Sequence, residues 1–272
     1  MEFGEFSTVN VSERGDALLV SINRPQAMNA LSTQVVADLD AVVTKCAQLL
    51  ESAHEQGWPF RAVIITGEGE KAFAAGADIV EMSDYDPEQA RAYAESMHKV
   101  TLALEALPVP VIAAVNGHAL GGGCELALAC DWIIASENAS FGQPEITLGI
   151  IPGFGGCVRL PRRVPLGVAR EMILTGNPLK AQRALEVGLV NCVCPDKEAL
   201  LECADELVSS IARRSPVAVG RAKRTMAQAD ALTVHDGLNV ELDAFSAVFG
   251  SEDSRVGRQA FVNKRAAEFP GR

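Results

Sequence analysis

Hydrophobic residues along the chain alternate between short continuous runs and longer stretches with helical spacing. Apolar runs of five or six residues, bounded by turn-forming residues, predict buried strands at 17–22, 61–66, 110–115 and 131–135. Apolar positions that recur every three or four residues predict helices over 32–50, 87–107 and 124–130. Ser32 is placed to cap the first of these helices, and loops are expected at 51–60 and 72–78. Strands alternating with helices indicate an α/β layered core.

The strand pattern stops at about residue 196. Helical spacing alone follows, and it predicts helices over Lys197–Ala212, Pro216–Ala229, Thr233–Phe249 and Ser251–Phe269. We therefore expect an α/β domain over residues 1–196 and an all-helical region over residues 197–272. No low-complexity linker separates the two, so the helical region is expected to pack on the α/β body or on a neighbouring subunit.

Composition and charge narrow the function classes. The formal net charge of −11 argues against nucleic acid as a partner, because such binding rests on neutralising phosphates with Lys and Arg. The start of the chain lacks the basic and apolar regions of a signal peptide. The longest charge-free run, Ala106 to Cys124, is interrupted by two prolines and four glycines and is no membrane span. The seven cysteines lack the paired spacing of a zinc site and are interpreted as small buried residues in a reducing compartment. We expect a cytoplasmic protein without a metal.

The segment Asn116 to Asp131 carries the strongest candidate chemistry. A strand runs into Gly121-Gly-Gly123 and then into a helix, whose first backbone N–H groups have no partner within the helix and could hold an oxyanion. Glu125, in the first helical turn, would lie beside that anion and could act as an acid or base. Close packing of the glycines and favourable helix electrostatics explain the same pattern without a function. The Lys-Ser/Thr of a phosphate-binding loop and the Gly-x-Gly-x-x-Gly of a dinucleotide-binding fold are both missing.

Glu145 is a second candidate. It follows Pro144 and stands among Ile146, Leu148 and Ile150, and burial there would raise its pKa so that it holds a proton near neutral pH. A solvent-facing loop glutamate is the competing interpretation. Sequence spacing alone cannot bring this residue to Glu125.

These segments together resemble the enoyl-CoA hydratase/isomerase (crotonase) family from Asn23 to the C-terminus. The matching stretches are Asn23–Leu31, Ala72–Ile79, Asn116–Leu126, Phe141–Glu145, Ile151–Gly156 and Phe261–Arg265. The resemblance implies a spiral of ββα units with a C-terminal helical oligomerisation region, which forms a homotrimer or a hexamer of two trimers. It also implies an enzyme that adds water across the 2,3 double bond of a 2-enoyl-CoA, giving a 3-hydroxyacyl-CoA, with coenzyme A as part of the substrate and no further cofactor.

The resemblance assigns roles to individual residues. The backbone N–H groups of Ala77 and Gly122 would hold the thioester oxygen, Glu125 would activate water, and Glu145 would protonate the α-carbon. Two further groups are implied: residues that position substrate and water, and residues that bind coenzyme A. The first comprises Gly121, Gly142 and Gln143, and the second comprises Ala75, Asp78, Ile79 and Lys264. Val80 stands where many hydratases have a lysine, which puts one contact to the coenzyme A phosphates in doubt.

Alternative functions remain open at this level. A Δ3,Δ2-enoyl-CoA isomerase or another reaction on the same scaffold is the nearest, because one fold hosts many chemistries. A non-catalytic RNA-binding or scaffold relative is opposed by the net charge and by both glutamates. A serine hydrolase lacks the Gly-x-Ser-x-Gly turn, and His118, near the glycines, is interpreted as a packing residue. Acyl chain length and pathway are not determined by the sequence.

Overall fold

The computed structural model describes residues 3–272; Met1 and Glu2, which begin the segment examined for a signal peptide, lie outside them. Within the described residues the strands are β1 (Val9–Arg14), β2 (Ala17–Ile22), β3 (Ala62–Gly67), β4 (Ala72–Ala74), β5 (Val111–Val115), β6 (His118–Leu120), β7 (Trp132–Ser136), β8 (Ser140–Gly142), β9 (Leu179–Lys180) and β10 (Cys192–Cys194). The helices are α1 (Thr33–Glu51), α2 (Ala53–Gln56), α3 (Ile79–Met82), α4 (Pro87–Ala106), α5 (Gly122–Leu128), α6 (Gly156–Arg163), α7 (Leu166–Thr175), α8 (Ala181–Glu186), α9 (Lys197–Ala212), α10 (Pro216–Ala229), α11 (Val234–Phe249) and α12 (Glu252–Val262).

The strands form two sheets that the chain visits in turn. The larger sheet has the order β1-β2-β3-β5-β7-β10 and the smaller has the order β4-β6-β8-β9. Three times in succession, one strand of the larger sheet is followed by one strand of the smaller sheet and then by helix: β3-β4-α3/α4, β5-β6-α5 and β7-β8-α6/α7. Neighbouring strands within this repeat are parallel. The repeat is the spiral of ββα units that was expected.

The main apolar core lies between the sheets and helices α1, α4 and α5. Strand β5 is buried along its whole length and contributes to both faces of the larger sheet, as expected for a parallel strand covered on both sides. A second apolar layer covers the other face of that sheet, where Leu200, Ala204 and Val208 of α9 pack on Ile64 and Ile112. Helix α9 is therefore part of the packing of the α/β body.

Helix ends that are marked by capping residues agree closely with prediction. Ser32 accepts a hydrogen bond from the Val35 N–H at the start of α1, and Asp86 forms a capping box with Gln89 ahead of Pro87. The predicted bounds of α9 and α10 coincide with the observed ones.

Several local predictions were wrong. Strand β1 was not predicted, because Val9–Arg14 has only two apolar residues, Val9 and Val11, and lies on an antiparallel edge. The loops expected at 51–60 and 72–78 contain the short elements α2 and β4. The last helix ends at Val262, well before Phe269, and the following Lys264 adopts a left-handed backbone with φ +53°. Backbone in that region does not continue a right-handed helix.

The C-terminal helices are tied to the α/β body by buried polar groups. The Lys223 ammonium of α10 donates to Asp131 at 2.7 Å and to the carbonyl oxygens of Leu104 and Val109. Asp253, fully buried in α12, accepts the backbone N–H of Gly271 at 2.7 Å, and the Gly271 carbonyl oxygen in turn accepts the Trp58 indole N–H of the α/β body at 3.0 Å. The division at residue 196 stays a prediction. No helix between residues 3 and 272 is both long and apolar enough to cross a membrane.

Candidate functional site

A cavity of about 530 Å³ opens at one end of the smaller sheet. Most of the candidate site residues line it: Ala75, Ala77, Ile79, Gly121, Gly122, Glu125 and Glu145. The rest of its wall is largely apolar and includes Met82, Tyr93, Leu148 and Phe154. The structure thus brings both glutamates, which stand twenty residues apart in the sequence, to one apolar cavity.

Sheet topology explains this convergence. Strands β4, β6 and β8 are neighbouring parallel strands, with Ala74 paired to Ala119 and Leu120 paired to Gly142. The carboxyl ends of parallel strands meet at the same edge of a sheet, where α/β proteins commonly bind ligands. The segments that begin at Ala75, Gly121 and Gln143 each leave one of these strands at that edge.

Glu125 is held rigidly in the cavity wall. Its side chain is 1% exposed, and its Oε1 accepts the backbone N–H groups of Phe154 at 2.8 Å and Gly156 at 2.6 Å. The pKa of Glu125 is raised from 4.5 to about 7, mainly by burial; the charge of Glu145 also raises it, whereas the two N–H groups lower it. A carboxyl group with this pKa exchanges a proton readily at neutral pH.

Glu145 lies in a 3₁₀ turn, Pro144–Leu148, and lines the same cavity. Burial raises the pKa of Glu145, as the sequence predicted. Its Oε2 is buried and has no hydrogen-bond partner among residues 3–272. A buried carboxyl oxygen without a partner is unfavourable, so we expect a proton or a bound group to satisfy it.

Gly121 is required where β6 turns into α5. It has a φ of +48°, and a Cβ at this position would press against the Glu145 carboxylate. Gly122 is the next residue, and a Cβ there would come within 2.7 Å of the Phe154 ring. The glycines thus allow the helix N-terminus to lie directly beside the second carboxyl group.

Two backbone N–H groups on the cavity wall remain without an acceptor. Gly122 is the first residue of α5, so its N–H has no partner within the helix. Ala77 lies between β4 and α3, opposite Leu31. The residues on either side of Ala77 make the hydrogen bonds there: the Leu31 N–H donates to the Gly76 carbonyl, and the Asp78 N–H donates to the Leu31 carbonyl. Neither N–H donates to another group in the described part of the chain.

Four of the predicted site residues do not line the cavity. The Gly142 carbonyl oxygen accepts the Gly121 N–H at 2.9 Å, and this hydrogen bond holds the backbone of the glycine turn in place. Gln143 is fully buried against Gly156, and neither amide atom has a partner within residues 3–272. The Asp78 side chain caps α3 and pairs with Arg24 at 3.1 Å, and Lys264 is exposed beyond α12.

Sequence reasoning missed the residues that hold Glu125. The N–H groups of Phe154 and Gly156 belong to the run Ile151-Pro-Gly-Phe-Gly-Gly156, whose glycines were the available signal. Tyr93 was also missed: its hydroxyl donates to the Leu31 carbonyl, and its ring meets Phe154 edge-on at 5.1 Å. Both rings are buried and line the cavity.

His118 takes no part in the cavity. Its Nδ1 lies 2.7 Å from the Ser140 hydroxyl, across the pairing of β6 and β8. The interpretation as a packing histidine agrees with this contact.

Residues 13–272 match the enoyl-CoA hydratase/isomerase family. The short-chain-enoyl-CoA hydratase of Clostridium acetobutylicum is 43% identical over 97% of this chain and 98% of its own length. The crotonyl-CoA hydratase of Syntrophomonas wolfei is 41% identical over 91% of this chain and 92% of its own. The crystal structure of an enoyl-CoA hydratase from Bacillus anthracis superimposes with a TM-score of 0.90 at 40% identity, covering 98% and 100% of the two chains. The chain belongs to the enoyl-CoA hydratase/isomerase family.

Proposed function

We propose that the protein is an enoyl-CoA hydratase that adds water to a 2-enoyl-CoA and forms a 3-hydroxyacyl-CoA. The observation that carries the proposal is the placement of two carboxyl groups, Glu125 and Glu145, on one cavity beside two unpaired backbone N–H groups. Hydration transfers a hydroxyl group and a proton, so it employs two acid/base groups. Relatives named as hydratases at 41–43% identity support the same reaction.

The thioester oxygen is proposed to accept hydrogen bonds from the Ala77 and Gly122 N–H groups. Negative charge develops on this oxygen when water adds to the β-carbon, and preorganised N–H donors in an apolar cavity stabilise it. The N-terminus of α5 adds its positive dipole end to the same point.

Glu125 is proposed to take the proton from the attacking water. Both backbone hydrogen bonds fall on its Oε1, which leaves Oε2 for the water. Its pKa of about 7 suits a base near neutral pH. Glu145, whose pKa is raised by burial, then donates a proton to the α-carbon. We propose that the reaction requires no metal or redox cofactor, because the two carboxyl groups and the amides supply the proton transfers and the charge stabilisation.

We propose that the substrate carries a short acyl chain. The buried rings of Tyr93 and Phe154 line the cavity together with Glu125. A panel of 2-enoyl-CoA substrates tests this, with kcat/KM expected to be highest for four to six carbons, about the length implied by the names of the relatives. A maximum at long chains would contradict it.

The coenzyme A moiety is proposed to leave the cavity past Ala75 and Ile79, with Lys264 near its phosphates. Val80, which stands in place of a lysine, is 86% exposed and supplies no charge. Because Lys264 does not line the cavity of its own chain, its part in binding depends on the assembly.

We further propose a homotrimer, either alone or paired as a hexamer. A stripe of large apolar side chains on α11 is exposed: Leu238, Leu242, Phe245 and Phe249. Such a stripe marks an interaction surface, and light scattering should give three or six chains. Phe245→Asp should dissociate the assembly, whereas a monomeric wild type would contradict the proposal.

A cytoplasmic location is supported by the seven free thiols, which suit a reducing compartment.

The reaction is tested with purified protein and crotonyl-CoA. Loss of the enoyl absorbance with formation of 3-hydroxybutyryl-CoA is expected. With a 3-enoyl-CoA as substrate, rapid appearance of the enoyl absorbance would instead identify an isomerase. Binding of crotonyl-CoA without turnover would leave a binding protein and refute the proposal.

A further inference from the structure

Three cysteine side chains meet on the face of the larger sheet that α9 covers, away from the catalytic cavity. Cys192 and Cys194 stand two residues apart on β10 and therefore point to the same face, and Cys203 lies above them on α9. Their three Sγ atoms all lie within 4.8 Å of one another, and those of Cys192 and Cys203 are 3.1 Å apart. The sequence reveals no such cluster, because none of the spacings is that of a paired zinc motif.

The cluster consists of sulfur alone. No His, Asp or Glu side chain joins it within the described part of the chain. Apolar residues of the second core layer pack around it, and Glu206 lines the same surface cavity as Cys192 and Cys203. Cys194 is buried, whereas Cys192 and Cys203 are half-buried and open to a surface cavity of about 310 Å³. The thiols of Cys192 and Cys203 can therefore be reached from solvent without unfolding.

We propose that Cys192, Cys194 and Cys203 form a binding site for one Cu(I) ion. Thiolate sulfur is the ligand that soft ions prefer, and Cu(I) is among the ions that such ligands select. Structural Zn²⁺ is almost always bound by four protein ligands, and this cluster offers three. A three-coordinate ion with metal–sulfur bonds of about 2.3 Å needs sulfur atoms about 4 Å apart. The Cys192 and Cys203 sulfur atoms, 3.1 Å apart, are closer than that, and no two of the three sulfur atoms are more than 4.8 Å apart.

The binding step involves no change of oxidation state. Each copper–sulfur bond forms as an S–H bond breaks, and the thiol protons pass to solvent, as in metal binding to cysteine generally. Copper remains Cu(I), and no sulfur is oxidised.

The test uses the full-length protein, reduced with a phosphine and kept free of oxygen. Cu(I) is titrated in competition with bathocuproine disulfonate, a chromophoric Cu(I) chelator. Wild type should remove one copper per chain from the chelator, and Cys192→Ser, Cys194→Ser and Cys203→Ser should each lose that equivalent. Cys157→Ser, which removes an exposed thiol outside the cluster, is the matched control and should behave as wild type. Copper should also raise the melting temperature of wild type, because a ligand that binds the folded state stabilises it, but not that of Cys203→Ser.

X-ray absorption of the copper-loaded protein should show three sulfur neighbours. Retention of the copper equivalent in Cys203→Ser, or its loss in Cys157→Ser, would overturn the site. Preferential uptake of Zn²⁺ over Cu(I) would overturn the choice of ion. A redox pair in place of a metal site would be shown if the reduced protein takes up no copper and if, once the phosphine is removed and oxygen is admitted as the oxidant, a Cys192–Cys203 disulfide forms, seen as a mass loss of two hydrogens.

Discussion

Replacing Glu125 with glutamine should remove the loss of stability that ionisation of this buried carboxyl group causes as the pH rises. The side chain is buried, and burial raises its pKa from 4.5 to about 7 in the folded protein. Each pKa unit corresponds to about 1.4 kcal/mol, so ionised Glu125 destabilises the folded state by about 3 kcal/mol. A raised pKa means that this stability is present below about pH 4.5 and is lost as the pH rises through about 7. The glutamine side chain of the variant does not titrate, and its amide oxygen can still accept the Phe154 and Gly156 N–H groups.

The assay is urea unfolding of wild type and Glu125→Gln at fixed protein concentration, from pH 4 to pH 8. The free energy of unfolding of the variant, relative to wild type, should increase by about 3 kcal/mol over that range. Glu171→Gln, at an exposed position of α7, is the control and should differ from wild type by less than about 0.5 kcal/mol at every pH. A difference for Glu125→Gln that is independent of pH, or that changes in the opposite direction, would refute the raised pKa.

Three further outcomes are expected. Gly121→Ala would push a Cβ against the Glu145 carboxylate, so kcat for crotonyl-CoA should fall by about 100-fold or more with KM little changed; an unchanged kcat would contradict the contact. Wild-type kcat/KM should rise through about pH 7 as Glu125 ionises, and a flat profile from pH 5 to pH 8 would argue against Glu125 as the base. Lys223→Met would leave Asp131 without its ammonium partner, so chemical denaturation should show a loss of about 3 kcal/mol, whereas wild-type stability would show that the ion pair is not stabilising.

The sequence predicted the fold well where local signals agree with the tertiary structure. The bounds of α9 and α10 follow from Asp196 and Ser215, each of which caps its helix through the side chain. The strands β4, β6 and β8 have three residues each, too few to establish a periodicity. Their existence depends on pairing with strands from distant segments, so they could be inferred only from the family resemblance.

The candidate site was only partly predictable for the same reason. The chemistry of Glu125 follows from a glycine turn and a helix start, which are local. Its meeting with Glu145 follows from the pairing of β6 with β8, which no spacing reveals. The backbone groups of Phe154 and Gly156 that orient Glu125 carry no side-chain signature at all. The three-thiol cluster was missed because sheet and helix packing, not sequence spacing, brings Cys203 to Cys192.

The central claim is that the carboxyl groups of Glu125 and Glu145 act together on one thioester. Combining the substitutions of the two residues tests this claim most directly. Hydration of crotonyl-CoA is measured for wild type, Glu125→Gln, Glu145→Gln and the double variant, with crotonyl-CoA binding followed by calorimetry. Each single change should lower kcat by about 10²–10⁴-fold while binding persists, and the double variant should be little slower than the slower single variant, because groups that act together are not additive. Near-normal turnover in either single variant, or losses that multiply in the double variant, would contradict a shared catalytic step.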